Sequence, residues 1–246
     1  EERVKLIVFT LLMTGVSIAQ ALFWPTISTM LPKVIDAIPD LFRELFSSVI
    51  AEGFSFFVIT QQFMKNIGMF GGFLAVLVAA SAVARELENG TMEFLLAQPI
   101  SRARVLTEKY FLNLAMLGIP VVVSTLVVYP TAYFVEESIH PGHLFIAGIY
   151  AFFVLAIIYS FTFCVGVFVD NQMHVISGGL TLVFIMGILV FFEATKFLSL
   201  YAWLDREYLG PILNAGAVPW HMFAIFIAIN AILFSVAMYR FRRINV

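Results

Sequence analysis

The sequence predicts an all-α, polytopic membrane protein: six transmembrane helices, a cytoplasmic helix between the second and third, and short helices on the outer face. Three observations lead there. Of 246 residues, 61% are hydrophobic and 12% charged, against about 45–50% and about 25% in an ordinary soluble domain, so the charges cannot clothe a water-exposed surface. Runs without a charge repeatedly reach the roughly 20 residues that cross a hydrocarbon core. Lysine and arginine alternate in abundance between the two sides that these runs define, as cytoplasmic and outer loops do.

In chain order, spans are expected at 5–26, 63–85, 106–134, 143–169, 173–193 and 219–240, all within a single transmembrane domain covering 1–246. The first run, between Lys5 and Lys33, is too long for a cleavable leader and lacks a small-residue cleavage site after it. The second carries Gly68, Gly72, Ala75, Ala79 and Ala82 at three- and four-residue steps, a smooth face of the kind that lets helix backbones approach closely in lipid. In the third, Pro120 removes one backbone donor and predicts a bend. The fourth and fifth follow tight connections at 135–142 and 170–172. The sixth ends on Arg240, Arg242 and Arg243.

Two outer segments are longer. Within 27–62, Leu41, Phe42, Leu45, Phe46, Val49 and Ile50 recur at helical spacing opposite Asp40, Arg43, Glu44 and Ser47, which predicts an amphipathic helix at the outer surface. Segment 194–218 mixes apolar and charged residues before Gly210-Pro211 and reads as a short helical excursion that dips toward the interface. Arg3, Lys5, Arg85, Arg102, Arg104, Lys109 and the C-terminal arginines fall on one side, with Lys33, Arg43, Lys65, Lys196 and Arg206 on the other. That bias puts both termini in the cytoplasm.

Several chemistries lack their residues. The net charge of −2 leaves no cationic excess for a nucleic-acid backbone. No glycine is followed by lysine and there is no His-Glu-x-x-His, so neither a phosphate-cradling ATPase loop nor that zinc motif is present. The single cysteine, Cys164, reads as a small buried hydrophobe. No span, as drawn, carries a charge near its centre, where a coupled carrier keeps its relay group. Gln20, Asn113 and Asn230 are the nearest polar candidates and read as interhelical hydrogen-bonding groups. Glu136, Glu137, His140 and His143 fall within one outer hairpin and could in principle hold a metal, but they read as a polar turn between two spans. Catalytic, cofactor-binding and metal-binding residues are therefore expected to be none.

The most informative stretch is Arg85-Glu-Leu-Glu-Asn-Gly-Thr-Met-Glu-Phe-Leu-Leu-Ala-Gln-Pro-Ile-Ser-Arg102. Asn89-Gly90 predicts a turn that ends the second helix. Thr91 can cap a new short helix, with Glu93 in its first turn near the positive dipole end. Met92, Leu95 and Leu96 share one face. Pro99 stops that helix, and Ser101 can cap the third span. An apolar face projecting into the cytoplasm must bury itself against the protein's own span ends or in a partner's groove.

The pattern Glu86-x-Glu88-x-Gly90-Thr91-x-Glu93-x-Leu95-Leu96-x-x-Pro99-x-Ser101-Arg102, followed by Lys109, resembles the coupling-helix region of the ABC transporter type-2 permease family, and the six-span architecture is similar over nearly the whole chain. The resemblance implies a non-catalytic permease subunit of a prokaryotic plasma-membrane exporter. Its partners would be a separate ATP-binding cassette ATPase, which would hold ATP and Mg, and a second permease copy, with a homodimer favoured over a heterodimer, in contact with membrane lipid and not nucleic acid. It also implies that segment 91–98 docks into the ATPase, making Glu86, Glu88, Gly90, Thr91, Met92, Glu93, Leu95, Leu96, Pro99 and Arg102 the coupling residues. The rival readings are an ion- or proton-coupled carrier, a membrane-integral enzyme and a scaffold. The 27 phenylalanines lean toward a hydrophobic, lipid-like or peptide cargo.

Overall fold

The computed structural model describes residues 2–37, 40–92 and 100–243. Among them the chain is helical with no strand, and six helices are long and apolar enough to cross a membrane. In order these are α1 (Glu2–Val34), α2 (Asp40–Val58), a π-helical stretch (Ile59–Gly71), α3 (Gly72–Ala82), α4 (Ala84–Glu88), α5 (Arg102–Leu126), α6 (Val128–Phe134), α7 (Pro141–Phe168), α8 (Gln172–Leu189), α9 (Arg206–Ala215) and α10 (Trp220–Phe241). Two single-turn helices, Lys196–Leu198 and Ala202–Leu204, lie between α8 and α9.

α7 is the hub. It packs against α3, α5, α8, α9 and α10, and Tyr150, Tyr159 and Phe163 are completely buried along it. Its apolar residues surround the helix instead of forming one stripe, which is the pattern of a helix buried on all sides. Polar links reinforce it: the Tyr159 hydroxyl donates to the Tyr110 carbonyl at 3.0 Å, and Ser160 donates to Asn230 Oδ1 at 2.5 Å while lying 2.6 Å from the Tyr110 hydroxyl. Asn230 thus ties α5, α7 and α10 together as expected. Asn113 does not, because its amide returns to the Lys109 carbonyl of its own helix. Gln20 Oε1 is buried without a partner.

Several boundaries move. α1 continues to Val34 through Pro25 and Pro32. The second crossing is far longer than expected: one apolar helical run extends from Val49 to Glu88, so the helix expected at the outer surface feeds directly into the span. The two meet at Gly53, whose φ of 68° breaks the helical path. Of the expected amphipathic face, Val49 is buried and Ile50 exposed; the side chains of Leu41, Phe42, Leu45 and Phe46 lie outside the described residues. Pro120 sits inside α5, and the helical run continues through Val127 into α6.

The tight hairpin after α6 forms as expected, with His140 capping α7 through the Gly142 N–H. Three of its polar side chains, Glu137, His140 and His143, are engaged within the chain. Glu137 accepts the Trp24 indole N–H at 2.6 Å, and the His143 ring donates to the Leu213 carbonyl at 2.9 Å. Among the described residues no three His, Cys, Asp or Glu side chains gather as metal ligands would. Cys164 is buried, as expected.

Candidate coupling and transport site

Two regions stand out: the junction below the second crossing, and a polar layer in the middle of the bundle. At the junction, α4 closes on a turn in which the Asn89 and Gly90 N–H groups reach the Arg85 and Leu87 carbonyls. Gly90 takes φ 68°, the left-handed conformation that a helix end favours in glycine. The Thr91 hydroxyl donates back to the Glu86 carbonyl at 3.3 Å. Thr91 is therefore the first residue of the next helical turn and laces it to α4, where the sequence suggested a cap.

The two carboxylates expected to matter here each reach a different crossing. Glu86 Oε1 meets Lys109 Nζ of α5 at 2.5 Å, with both side chains mostly withdrawn from solvent; its other oxygen is buried without a partner. Glu88 Oε2 accepts the Gln172 backbone N–H at 2.9 Å, and Oε1 accepts the Asn171 side-chain amide at 3.2 Å. A carboxylate is well placed there, because the first N–H groups of α8 lack intrahelical partners and carry partial positive charge. Asn171 completes the cap by accepting the His174 N–H. Ser101 likewise caps α5 through the Arg104 N–H at 3.3 Å, as predicted, and Arg102 opens that helix.

Met92 is 0% exposed and belongs to the main core cluster, so its side chain packs within the chain. The apolar face that it heads begins as an intramolecular contact. Glu93, Leu95, Leu96 and Pro99 lie outside the described residues. Beside the junction, between α3, α4 and α5, is an open cavity of about 580 Å³ lined by Ser81, Arg85, Glu86, Asn89, Lys109 and Asn113, among others.

The small-residue face is wholly internal. Gly68, Gly72, Ala75, Ala79 and Ala82 are all buried, on a helix that packs against α7 and α8. A Cβ at Gly68 would come 2.8 Å from the Tyr201 ring, whereas one at Gly72 would meet only Ile158 and Val183 at an ordinary 3.7 Å. Tyr201 also donates its hydroxyl to the Gly68 carbonyl at 3.4 Å. The excursion after α8 therefore reaches inward to the level of Gly68. A comparably close approach at Gly179, where a Cβ would lie 2.7 Å from Thr162 Oγ1 and 2.8 Å from Val76, gave no distinctive sequence signal.

The polar layer was also missed. Gln62 and Asn66, both buried, face Ser17 and Ser124 from the π-helical stretch. The Asn66 amide nitrogen lies 2.9 Å from the Met13 carbonyl, 2.9 Å from Ser17 Oγ and 3.0 Å from Gln62 Oε1. Ser17 donates toward Gln62 Oε1 at 2.6 Å, and the Gln62 amide toward Ser124 at 3.4 Å. Asn66 Oδ1 is buried and unpaired. π-helical turns are rare and recur at functional sites; here the stretch coincides with the polar layer.

Lys65, next to Asn66, is exposed and lies within the continuous helical run from Val49 to Glu88, so the helix does not begin at this charge as the sequence suggested.

Comparison with known proteins bears on the whole chain. A family model described as ABC-2 family transporter protein matches residues 5–246. No curated protein matches.

Proposed function

The chain belongs to the ABC-2 family of transporter proteins, and from that premise we propose that it is the permease subunit of an ATP-driven exporter, coupled through segment 91–98 to a separate ABC ATPase. The observation that carries the coupling role is the double tie at the junction: Glu86 to Lys109 on α5 and Glu88 to Gln172 on α8. A push on the segment that follows Gly90 reaches two further crossings through these ties, without any chemistry in this chain.

Met92 seats the first turn of the segment against the spans. Leu95 and Leu96, one turn further on, are proposed to carry the same face into the ATPase. In this reading the end of the bundle holding both termini is cytoplasmic, as the lysine and arginine bias favours. A second permease copy completes the pathway, and ATP and Mg reside in the ATPase alone. The test is co-purification: tagged chain extracted from its native membrane should bring down a nucleotide-hydrolysing ABC subunit. Recovery of the intact chain without any such subunit would remove the basis for the coupling role.

A further inference from the structure

We propose that the ion pair between Glu52 and Arg206 is a latch across the large cavity at the end of the bundle opposite both termini, and that Gly53 is the hinge on which one wall swings when the latch opens. Taking that cavity as the way out for cargo rests on the permease reading; the latch itself does not. The cavity measures about 1130 Å³ and lies between α2, the segment after α8, and α9, with Glu52, Ser55, Val190, Lys196, Arg206 and Pro211 among its lining residues.

One wall is fixed. α9 is seated through Leu209, Ile212 and Leu213, all buried, and the His143 ring of α7 donates to the Leu213 carbonyl at 2.9 Å. Its first turn is pinned as well, because Asp205 accepts the Arg206 backbone N–H at 2.7 Å and faces Lys196 Nζ at 3.7 Å. The other wall is divided at Gly53. After it, Phe54, Phe56 and Phe57 are buried, and Phe54 and Phe57 pack against Trp24 of α1. Before it, Val49 is buried but Ile50 and Ala51 are exposed. Gly53 itself takes φ 68° and ψ −146°, a conformation open essentially only to glycine, and a Cβ placed there would meet nothing within 4 Å. No packing at the break resists a change in its angles.

Glu52, the residue just before the break, reaches across to the fixed wall. Its Oε1 lies 2.5 Å from Arg206 Nη1, with the two side chains 29% and 58% exposed. An ion pair so exposed contributes little to stability and weakens further in salt. That suits a latch, which must set the resting position of a hinged segment without locking it.

The test uses the full chain with its co-purifying subunits in nanodiscs. Ser55→Cys reports on the cavity wall, Phe197→Cys is an exposed control outside the lining, and the native Cys164 is buried. The readout is the rate with an uncharged polyethylene-glycol maleimide divided by the rate with N-ethylmaleimide, so that a change in thiol reactivity cancels and access remains. For Ser55→Cys this ratio should rise about threefold or more when Glu52→Gln is added, the scale of one exposed ion pair. Raising KCl to about 1 M, where screening shortens to about 3 Å, should raise it in the chain that keeps Glu52 and not in Glu52→Gln. Glu52→Arg combined with Arg206→Glu should bring the ratio back down. An unchanged ratio in Glu52→Gln, a salt effect that survives Glu52→Gln, an exchange of charges that restores nothing, or a parallel rise at Phe197→Cys would each overturn the latch. None of these measurements needs nucleotide, so their failure is separable from a failure to find the ATPase. In complexes that hydrolyse ATP, adding ATP and Mg should raise the Ser55→Cys ratio; hydrolysis without that rise would overturn the exit role and leave the permease reading standing.

Discussion

The Glu88 carboxylate closes the N-terminus of α8 by accepting the Gln172 backbone N–H at 2.9 Å. Eighty-odd residues separate the two in sequence, and the bond joins the base of the candidate coupling segment to a crossing that is otherwise lightly covered. Removing the carboxylate returns an unpaired N–H to the helix end. Glu88→Ala should cost about 1 kcal/mol, as lost helix caps do, and Glu88→Gln less, because its amide oxygen still accepts. Thermal unfolding in detergent checks the order. Equal stability of Glu88→Ala and wild type would mean that the contact contributes nothing.

Glu86 and Lys109 should behave as a coupled pair. Each is partly withdrawn from solvent, so neutralising one leaves the other facing a poorly solvated site. Lys109→Met and Glu86→Gln should each destabilise the chain, and the double variant should recover part of the loss. A double-mutant cycle should return about 1 kcal/mol, toward the low end of coupled neighbours because neither side chain is fully buried. Simple additivity would contradict the pairing.

Gly68 and Gly72 look alike in sequence and should differ in tolerance. A methyl group at Gly68 collides with the Tyr201 ring at 2.8 Å and approaches the Phe63 carbonyl at 3.3 Å. Gly68→Ala should therefore cost about 1–3 kcal/mol, as overpacking does. Gly72→Ala meets only ordinary contacts and gains helix propensity worth up to about 1 kcal/mol, so it should be neutral or stabilising. Melting temperatures of the two variants decide it; the reverse order would mean that the Tyr201 segment is not seated on Gly68.

Cysteine labelling tests the orientation. Tyr201 is buried and makes a poor reporter, whereas Ser47, Phe197 and Asn89 are all exposed, and the native Cys164 is buried. In intact cells an impermeant maleimide should modify cysteines introduced at Ser47 and Phe197 and spare one at Asn89. Labelling at Asn89 alone would invert the assignment.

The six crossings were legible because charge-free runs of sufficient length are a property of local sequence. So was the junction: Asn89-Gly90 and Ser101 act through their own backbone neighbourhoods, and both do what their chemistry predicts. The start of the second crossing was not legible: a boundary drawn at Lys65 ends the helix at a charge, whereas the helical run extends from Val49 to Glu88. The inward reach of Tyr201 to Gly68 and the close approach of Gly179 to Val76 depend on tertiary packing, which periodicity along a single helix does not encode. The burial of Met92 within the chain was not legible for a related reason: an apolar face at helical spacing is the same whether it meets the protein's own spans or a partner.

The coupling role is tested most directly by Leu95→Asp, measured by co-purification with the ATPase and by transport-coupled hydrolysis. Burying an unpaired carboxylate in an apolar groove costs several kcal/mol, so docking should weaken a hundredfold or more, on the order set by about 1.4 kcal/mol per tenfold. The account predicts a chain that inserts and melts as wild type does but no longer retains or stimulates the ATPase, with Gln98→Ala nearly unaffected. Wild-type ATPase retention and hydrolysis in Leu95→Asp would contradict it, as would loss of the folded chain itself, since Leu95 would then follow Met92 into the protein's own core.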